Sequence, residues 1–67
     1  MEVNTQIGET AGKVWHLLSE NGPLTTVQMR KKLGGPNELL NLALGWLARE
    51  DKIVVTQERR EWRVQLR

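Results

Sequence analysis

The hydrophobic residues at the start of the chain recur every three or four positions, which is the period of an α-helix. The apolar stripe consists of Ile7, Ala11, Val14 and Leu18, with Trp15 and Leu17 beside it. Asn4 or Thr5 can cap the first turn, and Gly22 and Pro23 end the helix after about Asn21. A helix with one apolar face needs a partner, so we expect another element to cover this stripe.

A second, shorter helix is predicted at residues 26–33. Thr25 and Gln28 have the spacing of a capping box, in which each side chain satisfies a backbone N–H of the other residue. Leu24 and Met29 fit the hydrophobic contact that accompanies such a box. The apolar residues of the helix are Val27, Met29 and Leu33. Because they are so few, we expect tertiary packing to stabilise this helix.

A third helix is predicted at residues 38–50, after a break at Gly34-Gly35-Pro36. Glycine adopts the left-handed conformation that ends a helix, and proline cannot continue one. Asn37 is the expected N-cap of the third helix. Its predicted core stripe is Leu40, Ala43, Leu44 and Leu47, which Leu39, Leu42 and Trp46 widen. The apolar arc therefore covers more than half of the helix.

After Lys52 the hydrophobic period changes from about 3.6 to about 2, which predicts a β-hairpin. The expected cross-strand pairs are Ile53 with Leu66, Val55 with Val64, and Gln57 with Trp62, with residues 58–61 at the tip. Since side chains alternate between the two faces of a strand, Trp62, Val64 and Leu66 should share one face. We expect that face to point into the core and Trp62 to close it.

Two helices joined by a short break that contains glycine form a helix-turn-helix motif. A preceding helix and a following hairpin complete a winged helix-turn-helix domain, which belongs to the α+β class. A chain of 67 residues has room for one core, so residues 1–67 are expected to form a single domain. In such motifs the second helix of the pair approaches the major groove of DNA, and the hairpin reaches flanking phosphates.

The composition argues against several classes of function. There is no cysteine and one histidine, so disulfides are excluded and no metal or cofactor is expected. No serine has a histidine and carboxylate relay, and no glycine-rich loop follows a strand, which predicts that the protein is not an enzyme. With neither a signal peptide nor a long apolar run in the sequence, we expect a soluble, cytoplasmic protein without a membrane role.

Several segments of the sequence resemble those of a known protein family. The segments that carry the resemblance are Ile7-Gly8, Ala11-Gly12, Val14-Trp15, Leu42 to Glu50, and Lys52-Ile53. They resemble the small stand-alone winged helix-turn-helix proteins of bacteria and archaea, a family classed as a domain of unknown function. The resemblance spans nearly the whole chain and implies the fold but no catalytic residues. Members of that family often have glycine at the position of Asp51 and in the hairpin tip, where this chain has Glu58-Arg59-Arg60-Glu61.

The charge distribution suggests a surface for double-stranded DNA. Ten Lys and Arg against eight Asp and Glu give a net charge of only +2, but residues 51–67 carry five cations against three carboxylates. The candidate DNA-binding residues are Lys31 and Lys32 on the second helix, Asn37, Asn41 and Arg49 on the third, and Arg59, Arg60 and Arg63 on the hairpin. Alternatively, these charges only solvate an edge hairpin and a helix face, with Glu58 and Glu61 partly neutralising the arginines.

A second hypothesis is a protein-interaction or homodimerisation module without DNA binding. Glu38 has the wrong sign for phosphate, and Leu42, Gly45 and Trp46 widen the apolar side of the third helix, where glycine permits close approach. Gly8 and Gly12 could serve a similar contact, with packing inside the monomer as the simpler interpretation. The three tryptophans, Trp15, Trp46 and Trp62, are expected to meet in the core, and His16 at the surface has no assigned role.

Overall fold

The computed structural model describes residues 1–67 and contains three helices and three strands. In chain order these are α1 (Asn4–Asn21), β1 (Leu24–Thr25), α2 (Thr26–Leu33), α3 (Asn37–Arg49), β2 (Ile53–Glu58) and β3 (Glu61–Leu66). β2, β3 and the turn between them form the wing. The predicted α+β class is confirmed, as is the order of three helices followed by a hairpin.

The sheet has one more strand than the sequence predicted. β1 pairs antiparallel with β3, so the strand order is β1-β3-β2 and β3 is the central strand. Leu24 lies opposite Val64, and Thr25 lies opposite Arg63. A strand of two residues has no alternation to detect, which is why the hydrophobic pattern did not indicate it. This short pairing ties the connection between α1 and α2 to the wing.

The predicted register of the wing is correct. The pairs of β2 with β3 include Ile53 with Leu66, Val55 with Val64, and Gln57 with Trp62. Glu58 and Glu61 face each other as the last pair, so the turn consists of Arg59 and Arg60. Period-2 alternation sets this register because a slip of one residue would turn Ile53 and Val64 away from the core.

The core lies where the three helices meet the inner face of the sheet. Its buried residues are Ala11, Val14, Leu18, Leu24, Met29, Leu40, Ala43, Leu44, Leu47, Ile53 and Val64. The predicted stripe of α3 is buried as expected. Other expected core positions are less buried, since Ile7, Leu33 and Leu66 are half-buried and Val27 is exposed. Met29 is therefore the one fully buried side chain that α2 contributes.

The helix ends confirm one predicted cap and correct two others. The Thr25 hydroxyl accepts a hydrogen bond from the Gln28 N–H at 3.1 Å, and the Thr25 N–H donates to the Gln28 side-chain oxygen at 2.9 Å, which completes the capping box. Asn4 and Asn37 do not cap their helices. The N-caps are Val3 and Pro36, and neither makes a side-chain capping bond. Both asparagines instead adopt helical conformation as the first residues of α1 and α3.

The expectation that the three tryptophans meet in the core is wrong. Trp15, Trp46 and Trp62 are 41%, 53% and 52% exposed, respectively. Trp62 does share a strand face with Val64, which is fully buried. It pairs with Gln57, only one pair away from the end of the wing, where the hairpin extends beyond the core. Alternation correctly predicts which face of β3 carries Trp62, but no other element covers that face at position 62.

The expectation that Gly8 and Gly12 pack inside the monomer is also wrong. A Cβ added at either position would meet no atom within 4 Å, and the same holds for Gly45 in the middle of α3. All three glycines lie within helices, where glycine is less stable than alanine by about 1 kcal/mol. Packing within the monomer therefore does not require glycine at any of these three positions, since each has room for a larger side chain.

Candidate nucleic-acid interface

The outward face of α3 is poor in groups that read bases. Glu38, Leu42, Gly45 and Arg49 are separated by four, three and four residues, so they lie along one side of the helix, and all are exposed. This side presents one carboxylate, one aliphatic side chain, one bare backbone position and one cation. Base edges in the major groove are read by fixed donors and acceptors; here Arg49 offers donors, and Glu38 offers acceptors that suit only cytosine.

The two candidate amides of α3 lie outside that line. Asn37 is exposed in the first turn, and Asn41 is exposed on the flank that faces α2 and the wing. Asn41 lines the same groove as Arg60 of the wing tip. The structure thus brings together one predicted residue from α3 and one from the wing, whereas Arg49 does not line this groove.

The wing tip presents two arginines in the turn between β2 and β3. Arg59 has φ = 51°, in the left-handed region that glycine or asparagine usually occupies. Arg59 and Arg60 are both exposed. The molecule contains two ion pairs, Arg63 with Glu58 and Arg67 with Asp51, so neither tip arginine has a carboxylate partner.

Arg63, unlike the tip arginines, is half-buried and forms an ion pair. Its Nε lies 3.1 Å from a Glu58 carboxylate oxygen, and the residue is half-buried on the central strand between Thr25 of β1 and Thr56 of β2. The partial neutralisation by Glu58 that the sequence suggested is therefore present. Arg63 links the two strands of the wing as well as offering positive charge, and it is the least available of the three predicted wing cations.

The second helix ends in a basic run. Lys31 and Lys32 are exposed in the last turn of α2, next to the half-buried Arg30. Cations at a helix C-terminus also interact favourably with the helix dipole, by about 0.3–1 kcal/mol at exposed positions. Arg30 was not singled out from the sequence, although it begins the same run. It lines the groove beside Asn41 and Arg60.

A groove of about 690 Å³ separates α2, α3 and the wing. Its walls combine apolar and polar side chains: Thr26, Val27 and Arg30 from α2; Asn41, Leu44, Gly45 and Ala48 from α3; and Val55, Arg60 and Trp62 from the wing. The exposed indole of Trp62 belongs to this groove. The sequence did not predict this groove, because Trp62 was expected to point into the core and not to line an open surface.

The three predicted interface residues do not share one surface. Gly45 lines the groove toward the wing, whereas Trp46 lines a second hollow toward α1, together with Gly8, Gly12 and Trp15. Leu42 precedes Trp46 by four residues, which places the two on neighbouring parts of the helix surface. Leu42 and Trp46 are 50% and 53% exposed.

None of the three helices combines the length and the apolar character that a membrane-spanning helix needs. No three side chains of the metal-binding types His, Cys, Asp and Glu come together anywhere in residues 1–67.

Comparison with known proteins identifies the family. A sequence profile described as winged helix-turn-helix domain (DUF2582) matches residues 1–66. The chain belongs to the DUF2582 family. It is also similar to the uncharacterized protein MJ1608 of Methanocaldococcus jannaschii, with 45% identity over 65 residues that cover 92% of this chain and 91% of the relative. The resemblance drawn from the sequence is thereby confirmed, and with it the winged helix-turn-helix fold of this DUF2582 protein.

Proposed function

We propose that this DUF2582 protein is a non-enzymatic module that binds double-stranded DNA, with α3 toward the major groove and cations of the wing and α2 on the phosphates. The observation that carries the proposal is the distribution of unpaired cations. Arg59 and Arg60 at the wing tip and Lys31 and Lys32 on α2 are exposed and have no carboxylate within ion-pairing distance. Helix-turn-helix proteins set these same elements against the DNA backbone.

The contribution of α3 to sequence reading should be small. On its outward line Glu38 repels phosphate and offers acceptors to cytosine alone, and Leu42 makes only apolar contacts. Asn37 and Asn41 are the side chains able to make bidentate contacts to adenine. We therefore expect phosphate contacts to supply most of the affinity, with little preference among sequences.

A titration of the protein with short duplexes, followed by two-dimensional NMR, tests the proposal. We expect shifts of the backbone amide signals of Lys32, Asn41, Arg59 and Arg60. The slope of log K against log salt should be roughly −3 to −4, as for about four phosphate contacts. Unchanged spectra at low salt with several different duplexes would refute DNA binding.

A pair of variants localises the contact. The double variant Arg59→Gln/Arg60→Gln should reduce the salt slope by about 2, because two phosphate contacts are lost. Arg67→Gln is the single-charge control, since Arg67 directly follows β3 but is paired with Asp51 at 2.8 Å. Equal losses per charge removed, with the double variant losing only twice as much as Arg67→Gln, would show that only net charge matters and that the wing tip is not a contact.

The exposure of Leu42 and Trp46 supports a second candidate function, a homodimer or protein-interaction surface on the α1 side of α3. Trp15 and the open positions at Gly8 and Gly12 extend this apolar surface onto α1. If the surface forms a homodimer, light scattering should give twice the chain mass at high concentration. Trp46→Ser should abolish the dimer, and Trp62→Ser, which changes an equally exposed indole elsewhere, should not. A constant mass of one chain would exclude the homodimer.

A further inference from the structure

The groove between α2, α3 and the wing has the size and composition of a small-molecule site. Its volume of about 690 Å³ falls within the roughly 300–1,000 Å³ typical of ligand pockets. Such pockets combine a mainly apolar lining with a few polar groups that fix orientation. Here Leu44, Ala48 and Val55 supply apolar surface, and Asn41 and Arg30 lie at the same groove.

The charge of the groove favours an anion. Arg30 and Arg60 both line it, and neither takes part in the two ion pairs of the molecule. Glu61 is the single carboxylate on the lining, so the cations are in excess. Arg30 is also half-buried, which reduces its contact with water without giving it a counter-ion. A guanidinium in this position is suited to a carboxylate, which it can bind through two parallel hydrogen bonds.

The lining of the groove suits an aromatic ring. The indole of Trp62 is 52% exposed at one wall, and offset or edge-on contacts between aromatic rings are favourable. Opposite the wing, Gly45 leaves the backbone of α3 uncovered, with no atom within 4 Å of the place where a Cβ would stand. A planar ligand can therefore lie between the indole and the helix.

We propose that this groove binds a small planar aromatic carboxylate. The ring lies between Trp62 and the Gly45 segment of α3, and the carboxylate pairs with Arg30 and Arg60. The inference goes beyond DNA binding and does not depend on it, because every contact named belongs to the groove itself. If both proposals hold, the bound anion would also oppose DNA at the face between α3 and the wing.

The probe is 2-naphthoate, titrated into the full chain without DNA and followed by two-dimensional NMR. We expect millimolar or tighter binding with shifts of the amide signals of Asn41, Ala48 and Trp62. The neutral isostere 2-naphthamide should bind roughly tenfold more weakly or worse, because it keeps one acceptor oxygen but lacks the charge and the second acceptor that pair with a guanidinium. Absence of shifts at these amides, or equal binding of the amide isostere, would overturn the proposal.

Two matched pairs of variants locate the site. Gly45→Met should fill the groove and abolish binding, whereas Gly8→Met, an open helical glycine of α1 outside the groove, should leave it intact. Arg60→Gln should weaken binding roughly tenfold, and its neighbour Arg59→Gln, which does not line the groove, should not. Equal effects within either pair would overturn the assignment of the site. The arginine pair keeps the test decisive should the methionine variants unfold.

Discussion

Replacement of Gly45 by alanine measures how much glycine at this position lowers the stability of α3. Gly45 lies in the middle of α3 with no positive φ, and an added Cβ would meet no atom within 4 Å. The substitution therefore gains helix propensity without a clash. Alanine is better than glycine inside a helix by about 0.8–1.0 kcal/mol. We expect Gly45→Ala to raise the free energy of unfolding by about 1 kcal/mol, which corresponds to roughly 4–8 °C in Tm for a domain of this size.

Urea unfolding followed by far-ultraviolet circular dichroism measures this change. Gly22→Ala is the matched control, because its surroundings are equally open but its φ is +76°, in the left-handed region. An L side chain in that conformation costs about 1–2 kcal/mol, so Gly22→Ala should lower stability while Gly45→Ala raises it. Loss of stability in Gly45→Ala would refute the reasoning and would mean that Gly45 has a close neighbour, such as a second chain.

Three further substitutions test the fold and the wing, each by the free energy of unfolding in urea. Met29→Ala should destabilise by about 2–5 kcal/mol, because Met29 is fully buried and the change leaves a cavity; a loss below about 1 kcal/mol would contradict its central position. Thr25→Ala should cost about 1–2 kcal/mol through loss of the capping box, with Thr26→Ala as the uncapped comparison. Arg59→Asn should stabilise by about 1 kcal/mol, because asparagine tolerates φ = 51° better than arginine; lower stability would contradict strain at the turn.

Local patterns predicted those parts of the fold that depend on neighbours in the chain. The capping box at Thr25 and Gln28 is a contact across three residues, and it forms as its spacing indicates. The wing register follows from the alternation that leads to Val64. In both cases the residues that make the contact also carry the signal, so no knowledge of the remaining structure is needed.

The patterns failed where a distant element decides the outcome. Trp62 lies on the predicted side of β3, but its exposure depends on how far α2 and α3 extend beneath the wing, which periodicity does not encode. β1 forms because Leu24 pairs with Val64, which lies 40 positions further along the chain. The candidate groove depends on both features. It could not be predicted from the sequence, whereas the individual cations beside it could.

The arginines in the wing and directly after it are of two kinds, and the difference supports a contact role for the tip. Arg63 and Arg67 pair with Glu58 and Asp51, so part of their positive charge is neutralised within the chain. Arg59 has no such partner and stands in a backbone conformation that would favour glycine. A local loss of stability that no contact within the chain offsets is typical of positions kept for an external partner. The stabilisation expected for Arg59→Asn and the weaker DNA binding expected for Arg59→Gln/Arg60→Gln are two consequences of this one interpretation. A tip that is strained but makes no contact would show the first effect without the second.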